Sequence, residues 1–191
     1  MQSNSQKSKD MSHYISSLKA KFLKQPHPHE NDVLALFKSL RHIPGGLTVL
    51  SKVVSRVAPY FKTVDPVIEH LDTQSCIAHI KKRRSLENHI GTVHVIAICN
   101  GLEFVMGVLA EASVPKHLRW LPKGMQVSYL AKADSDIKLT ASIAQDWHTG
   151  DFEIQVQAHT ADGVLVVDGV ITLWVTEKNK KGKRTLNDSL T

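Results

Sequence analysis

Cysteine is scarce in this chain, with two thiols, Cys76 and Cys99, in 191 residues. Two are too few for a disulfide scaffold, and both fall in apolar segments where a thiol acts as a small hydrophobe, so buried free thiols are expected. Aromatic residues are sparse as well, at 6%. No stacking series accompanies the basic runs KKRR at 81–84 and KNKKGKR at 178–184. The net charge of +6 therefore reads as solvated strand edge and tail, or as a surface for an anionic small molecule, and no nucleic-acid partner is expected. No apolar run of membrane-spanning length is free of polar groups. The strongest candidate, near 93–110, contains His94, Asn100 and Glu103, so no membrane span is expected. The opening residues, MQSNSQKSKDMSHY, lack the apolar centre of a secretory signal, and a soluble, cytoplasmic protein is expected. His27 and His29 flank Pro28 in a polar linker without Cys or acidic residues at ligand spacing, so no metal site is expected.

What is present is a hydrophobic content of 42%, enough for one domain with a sizeable core. The chain divides into an irregular or disordered segment at 1–30, a helical extension at 31–66, a main domain at 67–178 and a basic tail at 179–191. In the extension, Val33, Leu34, Leu36, Phe37 and Leu40 recur at helical spacing before Pro44-Gly45-Gly46. Leu47, Leu50, Val53, Val54 and Val57 form a second apolar face, closed by Pro59. These two short helices read as a cover on a larger body.

From about 67 the pattern changes to strands. Segments 74–84, 124–131, 137–146, 151–160 and 164–176 alternate or run apolar, with a hairpin turn at Asp162-Gly163 and a bulge expected at Asp168-Gly169. Successive strands joined by short turns favour an antiparallel sheet and an α+β fold. Between the first and second of them, a helix over 93–112 is apolar on every side and must be enclosed. The economical solution is a curved sheet wrapped around that long central helix. Five strands and one helix leave a face without a neighbour, so pairing of two chains is expected.

The stretch NHIGTVHVIAICNGLEFVMG at 88–107 carries the chemistry. Asn88 to Thr92 turns through Gly91 into the helix, whose first amides, at Val95 and Ile96, have no intrahelical acceptors and lie at the positive end of the helix dipole. They suit an oxyanion, with Asn88 and His94 placed to add side-chain donors. Glu103 follows His94 by nine residues, roughly 13 Å of rise and the opposite side of one helix. The two meet only across a two-fold axis, which predicts a composite site with Glu103 from a second chain.

Asn, six residues to His, then a helical acid nine further on resembles the hotdog-fold acyl-CoA thioesterases of the phenylacetate-pathway type. The resemblance covers about residues 67–176 and is closest to a poorly characterised hotdog-domain branch with two short helices before the first strand. It implies a hotdog fold and hydrolysis of an acyl-CoA thioester, with no cofactor beyond the coenzyme A of the substrate. It also implies a homodimer, with a dimer of dimers left open. By position, Asn88, His94 and the Val95 amide polarise the thioester carbonyl, while Glu103 activates water or attacks directly. Lys123, Lys132, Arg83 and Arg84 are candidates for the phosphates of coenzyme A. Where the family has Gly after the His, this chain has Val95-Ile96, and its usual hydroxyl residue aligns near Pro122. Those departures narrow the approach to the amide and keep a non-catalytic acyl-CoA or fatty-acyl binding protein as the alternative. A hydratase on the same architecture would need a Pro-rich loop around the His that this chain lacks.

Overall fold

The structure is a computed structural model that describes residues 32–178. The segments expected at 1–30 and 179–191, and the His27/His29 linker, lie outside the described residues. Helices α1 (Asp32–Leu40) and α2 (Gly46–Val57) come first, followed by a 3-10 turn at Pro59–Thr63. Leu36, Phe37, Leu40 and Leu50 are buried in the same core as the sheet, so the two helices pack as a layer over it. Ser51 fastens α2 to the body by accepting the Ile68 N–H at 2.9 Å.

Six strands follow, one more than expected: β1 (Val67–Leu71), β2 (Ser75–Ile80), β3 (Leu118–Tyr129), β4 (Ile137–Ser142), β5 (Gly150–Thr160) and β6 (Leu165–Glu177). They form one antiparallel sheet in the order β1-β2-β4-β5-β6-β3. β1 escapes the period-two pattern because its register shifts between Ile68 and His70, leaving Ile68 and Leu71 buried three positions apart. β3 begins six residues before the expected segment, its first half masked by Pro122 and the register shift that follows it. The bulge expected at Asp168-Gly169 is absent. Pairing runs in register through Gly169 on both sides, to Val127 and Val156. Gly169 is needed instead for close approach, since a Cβ there would lie 2.2 Å from the Gln126 carbonyl oxygen.

Helix α3 spans Val95–Ser113 and packs on β2, β4 and β5. Ile98, Leu102, Phe104, Val105 and Leu109 are fully buried, each contributing about 1.5–3 kcal/mol by removal from water. Gly101 lets the helix sit close on the sheet, because a Cβ there would fall 2.5 Å from Leu139 Cδ1. By length and hydropathy alone α3 could cross a bilayer, yet 61% of its most apolar window is buried within the protein. The expected complete enclosure does not hold for the single chain. A strip of α3 stays open, with Ile96 at 56% exposure, Cys99 half-buried and Glu103 exposed. Beside it, β3 is one of the sheet's two outer strands, and Leu118 is its single buried residue. Register with buried Val175, Leu173 and Ile171 turns Trp120, Pro122 and Met125 toward the helix side, where little of the chain covers them.

Candidate active site

The approach to α3 is a tight turn built around Asn88. Its Oδ1 accepts the N–H groups of Ile90 and Thr92 at 3.1 and 3.2 Å, and its Nδ2 donates to Thr92 Oγ1 at 2.8 Å. Gly91 takes φ +77°, a left-handed conformation that costs a side-chain-bearing residue energy. The turn is anchored on both flanks: Val93 N–H donates to the Ala133 carbonyl and His94 N–H to that of Leu86, each at 2.7 Å. One of the two Asn88 amide hydrogens is thus engaged in shaping the turn, the bland role for an Asn before a Gly.

His94 is the N-cap of α3. Its Nδ1 accepts the Ile96 N–H at 3.1 Å, which assigns the ring proton to Nε2 and makes that edge a donor. The sequence pattern had left the Val95 and Ile96 amides equally available. The cap engages Ile96 and leaves the Val95 N–H without an intrahelical acceptor, with His94 Nε2–H as a second donor at the same helix end. Two donors at the positive end of a helix suit a carbonyl oxygen gaining negative charge.

Glu103 lies on the open strip of α3, roughly 13 Å along the axis from His94, and the fold of one chain does not bring them together. It stands instead at the wall of an apolar cavity of about 160 Å³ between α3, α2 and β3. Two turns further on, the same wall carries Glu111, a residue the sequence reading did not single out. Burial pushes the Glu111 carboxyl above its ordinary value, opposed by the charge of Lys178 and by a hydrogen bond with the Trp120 side chain. The signal was available as Glu103, Gly107 and Glu111 at four-residue spacing, one face of one helix. Asn100, three residues before Glu103, serves the cover: its Nδ2 donates to Thr63 Oγ1 at 3.1 Å and the Tyr60 carbonyl at 3.4 Å. Phe61 then packs edge-on against Phe104 at 5.4 Å.

Of the four basic candidates, the fold brings two to the start of α3. Arg84 opens the short 3-10 turn that leads to Leu86 and pairs with Glu87 at 3.3 Å, and Lys132 is exposed beside Ala133. Arg83 donates to the carbonyls of Thr63 and Val64 at 2.8 and 3.2 Å. Lys123 pairs with Asp151 at 2.6 Å and lies near the Trp174 ring. Both thiols are free; burial pushes each above its usual range, Cys76 far more than Cys99.

A family model described as a domain of unknown function, DUF4442, matches residues 46–175. Among solved structures, a genomics target is 35% identical, with a TM-score of 0.67 over 76% of this chain and 99% of its own. A thioesterase family protein from Silicibacter pomeroyi is 17% identical, with a TM-score of 0.59 over 67% of this chain and 96% of its own. A thioesterase from Haemophilus influenzae is 13% identical, with a TM-score of 0.60 over 71% and 93%. No curated protein matches. At such identities the two thioesterases bear on architecture, and they share the curved sheet around a central helix: the fold is the hotdog fold.

Proposed function

The chain belongs to the DUF4442 family, and from its hotdog fold, shared with thioesterases, and the geometry of α3 we propose that the protein hydrolyses acyl-CoA thioesters at a site completed by a second copy of itself. The observation that carries the reading is the cap on α3. By accepting the Ile96 N–H, His94 keeps Nε2–H as a donor, and together with the Val95 amide it would bind a thioester carbonyl oxygen. Such a donor lowers an acyl-transfer barrier by about 3 kcal/mol. Asn88 holds the turn and has a second amide hydrogen to offer. Glu103 of the second copy takes a proton from water, whose oxygen adds to the carbonyl carbon. Collapse of the tetrahedral intermediate breaks the C–S bond, and coenzyme A leaves as the thiol with that proton. Direct attack by the Glu103 carboxylate, followed by hydrolysis of the anhydride, gives the same products.

Pairing is supported by the unpartnered outer edge of β3 and the open strip of α3 beside it. An exposed long edge strand next to apolar surface invites a second chain. Edge-to-edge pairing about a two-fold axis sets the two α3 helices antiparallel, so each acid reaches the other's N-terminus. Arg84 and Lys132 flank that terminus and would meet the phosphates of coenzyme A, which enters as part of the substrate. We place this activity in the cytoplasm.

One observation favours the non-catalytic alternative, an acyl-CoA or fatty-acyl binding protein: the Ile96 side chain projects into solvent next to the donors, where it restricts approach. A panel of acyl-CoAs with colorimetric thiol detection separates the two. Release of coenzyme A that Glu103→Ala abolishes supports hydrolysis; thermal stabilisation by acyl-CoA without release supports binding. A protein that is strictly monomeric in sedimentation while turning over would refute the composite site.

A further inference from the structure

Chemistry at the start of α3 has no need of the cavity that runs the other way, toward the helix's C-terminal end. Along α3 its wall is Glu103, Gly107 and Glu111, eight residues and ~12 Å of rise. Leu50, Val54 and Val57 of α2 face them. Trp120 stands across from the Gly107–Glu111 part of this wall, with its Cη2 nearest Gly107. Gly107 keeps the bore open: the nearest atom to a Cβ there would be Trp120 Cη2 at 3.8 Å, so a methyl fits and a longer side chain occupies the bore. The volume of about 160 Å³ is close to the ~150 Å³ of an apolar cavity known to stay dry and to take a benzene-sized guest. A cavity lined along ~12 Å of one helix suits a linear chain better than a ring. Apart from Glu103 and Glu111 the lining is apolar, so the chain end it suits is apolar.

We propose that this cavity receives the acyl chain of the thioester, entering past Glu103 and ending on the Trp120 indole. Medium-chain acyl-CoAs are then the substrate class, and Trp120 sets the chain length. The headgroup chemistry rests on the thioesterase reading above; the chain assignment rests on the cavity alone.

The test compares hydrolysis of butanoyl-, octanoyl- and palmitoyl-CoA by the full chain, together with calorimetric binding of octanoate itself. Octanoyl-CoA is expected to be preferred. Gly107→Leu and, from the opposite wall, Val54→Phe should each lower the octanoyl-to-butanoyl ratio of kcat/KM about tenfold, the effect of two methylenes barred from burial. Trp120→Ala should raise palmitoyl relative to octanoyl turnover. If octanoate binds and Gly107→Leu weakens it while no thioester releases coenzyme A, the chain site stands and the hydrolytic reading falls. If coenzyme A is released but none of the three variants moves the chain-length profile, this proposal is overturned and the hydrolytic reading stands.

Discussion

His94 performs two tasks with one ring, and substitution separates them. Nδ1 caps α3 through the Ile96 N–H at 3.1 Å, and Nε2–H is the proposed side-chain donor to the thioester oxygen. His94→Ala removes both. Loss of the cap costs about 1 kcal/mol of stability, a fall of roughly 2–4 °C in Tm for a chain of this size. Loss of the donor costs about 3 kcal/mol of transition-state stabilisation, on the order of a hundredfold or more in kcat. His94→Asn is the discriminating variant. Asn is among the strongest N-caps, so its side chain can take over the bond to Ile96, but once folded back on the helix it has no group in the place of Nε2–H. The expected result is wild-type thermal stability with the same loss of turnover as the Ala variant, read by scanning calorimetry and thiol release. Two outcomes would refute the reasoning. Equal destabilisation of the Asn and Ala variants would mean that the cap is not formed in solution. Turnover by the Asn variant within about threefold of wild type, under 1 kcal/mol in barrier, would mean that Nε2–H does not meet the oxyanion.

Two further expectations follow from buried groups. Burial holds the Glu111 carboxyl above its ordinary value of about 4.5, against the pull of Lys178 and the Trp120 hydrogen bond. The folded state therefore binds this proton more tightly than the unfolded chain does, so the group's contribution to stability is full below about pH 4.5 and is lost as pH rises through the raised value. Glu111→Gln should flatten that part of the stability profile in denaturant titrations; an unaltered slope would show that Glu111 is not the group responsible. Cys76 is buried, with its thiol pushed far up by burial and, secondarily, by the charge of Asp72. Native-state alkylation followed by mass spectrometry should leave it unmodified until the protein unfolds, whereas half-buried Cys99 on the open strip should react slowly first; early labelling of Cys76 would contradict the packing.

The parts of this molecule legible in its sequence are those set by local periodicity. The central helix could be bounded to within two residues because apolar side chains continue through every turn of it, and the later strands because Phe152, Ile154, Val156 and Ala158 alternate with exposed neighbours. What was missed depends on contacts distant in sequence. β1 was hidden by its own register shift, and the early start of β3 by a proline tolerated at a bulge on an edge strand. The role of Asn100 is decided by Thr63, thirty-seven residues earlier. At the site, the pattern placed Asn88, His94 and the helix start together. It could not say which amide the histidine ring would cap, and that choice distinguishes Val95 from Ile96.

The acid in the middle of α3 is answered by helical phase. Its neighbours Leu102 and Phe104 are fully buried, and a carboxylate moved to either position would face an apolar core at a cost of several kcal/mol. Position 103 falls two turns after Ile96 and one after Cys99, on the strip that the chain's own sheet leaves uncovered, and one turn before the glycine that opens the cavity. Along this helix it is the place where a charge can remain in contact with water, border an apolar bore and face outward toward a second chain. A residue there serving stability alone would be better apolar, since the surrounding surface of Ile96, Cys99, Pro122 and Met125 is suited to burial. A carboxylate there would work against the proposed association of two copies across this surface, unless the second copy presented hydrogen-bond donors opposite it. In the proposed pairing the N-terminus of the second copy's α3, with its Val95 amide and His94 ring, would supply such donors, so that one arrangement would meet both the energetic requirement of the interface and the chemical requirement of the site.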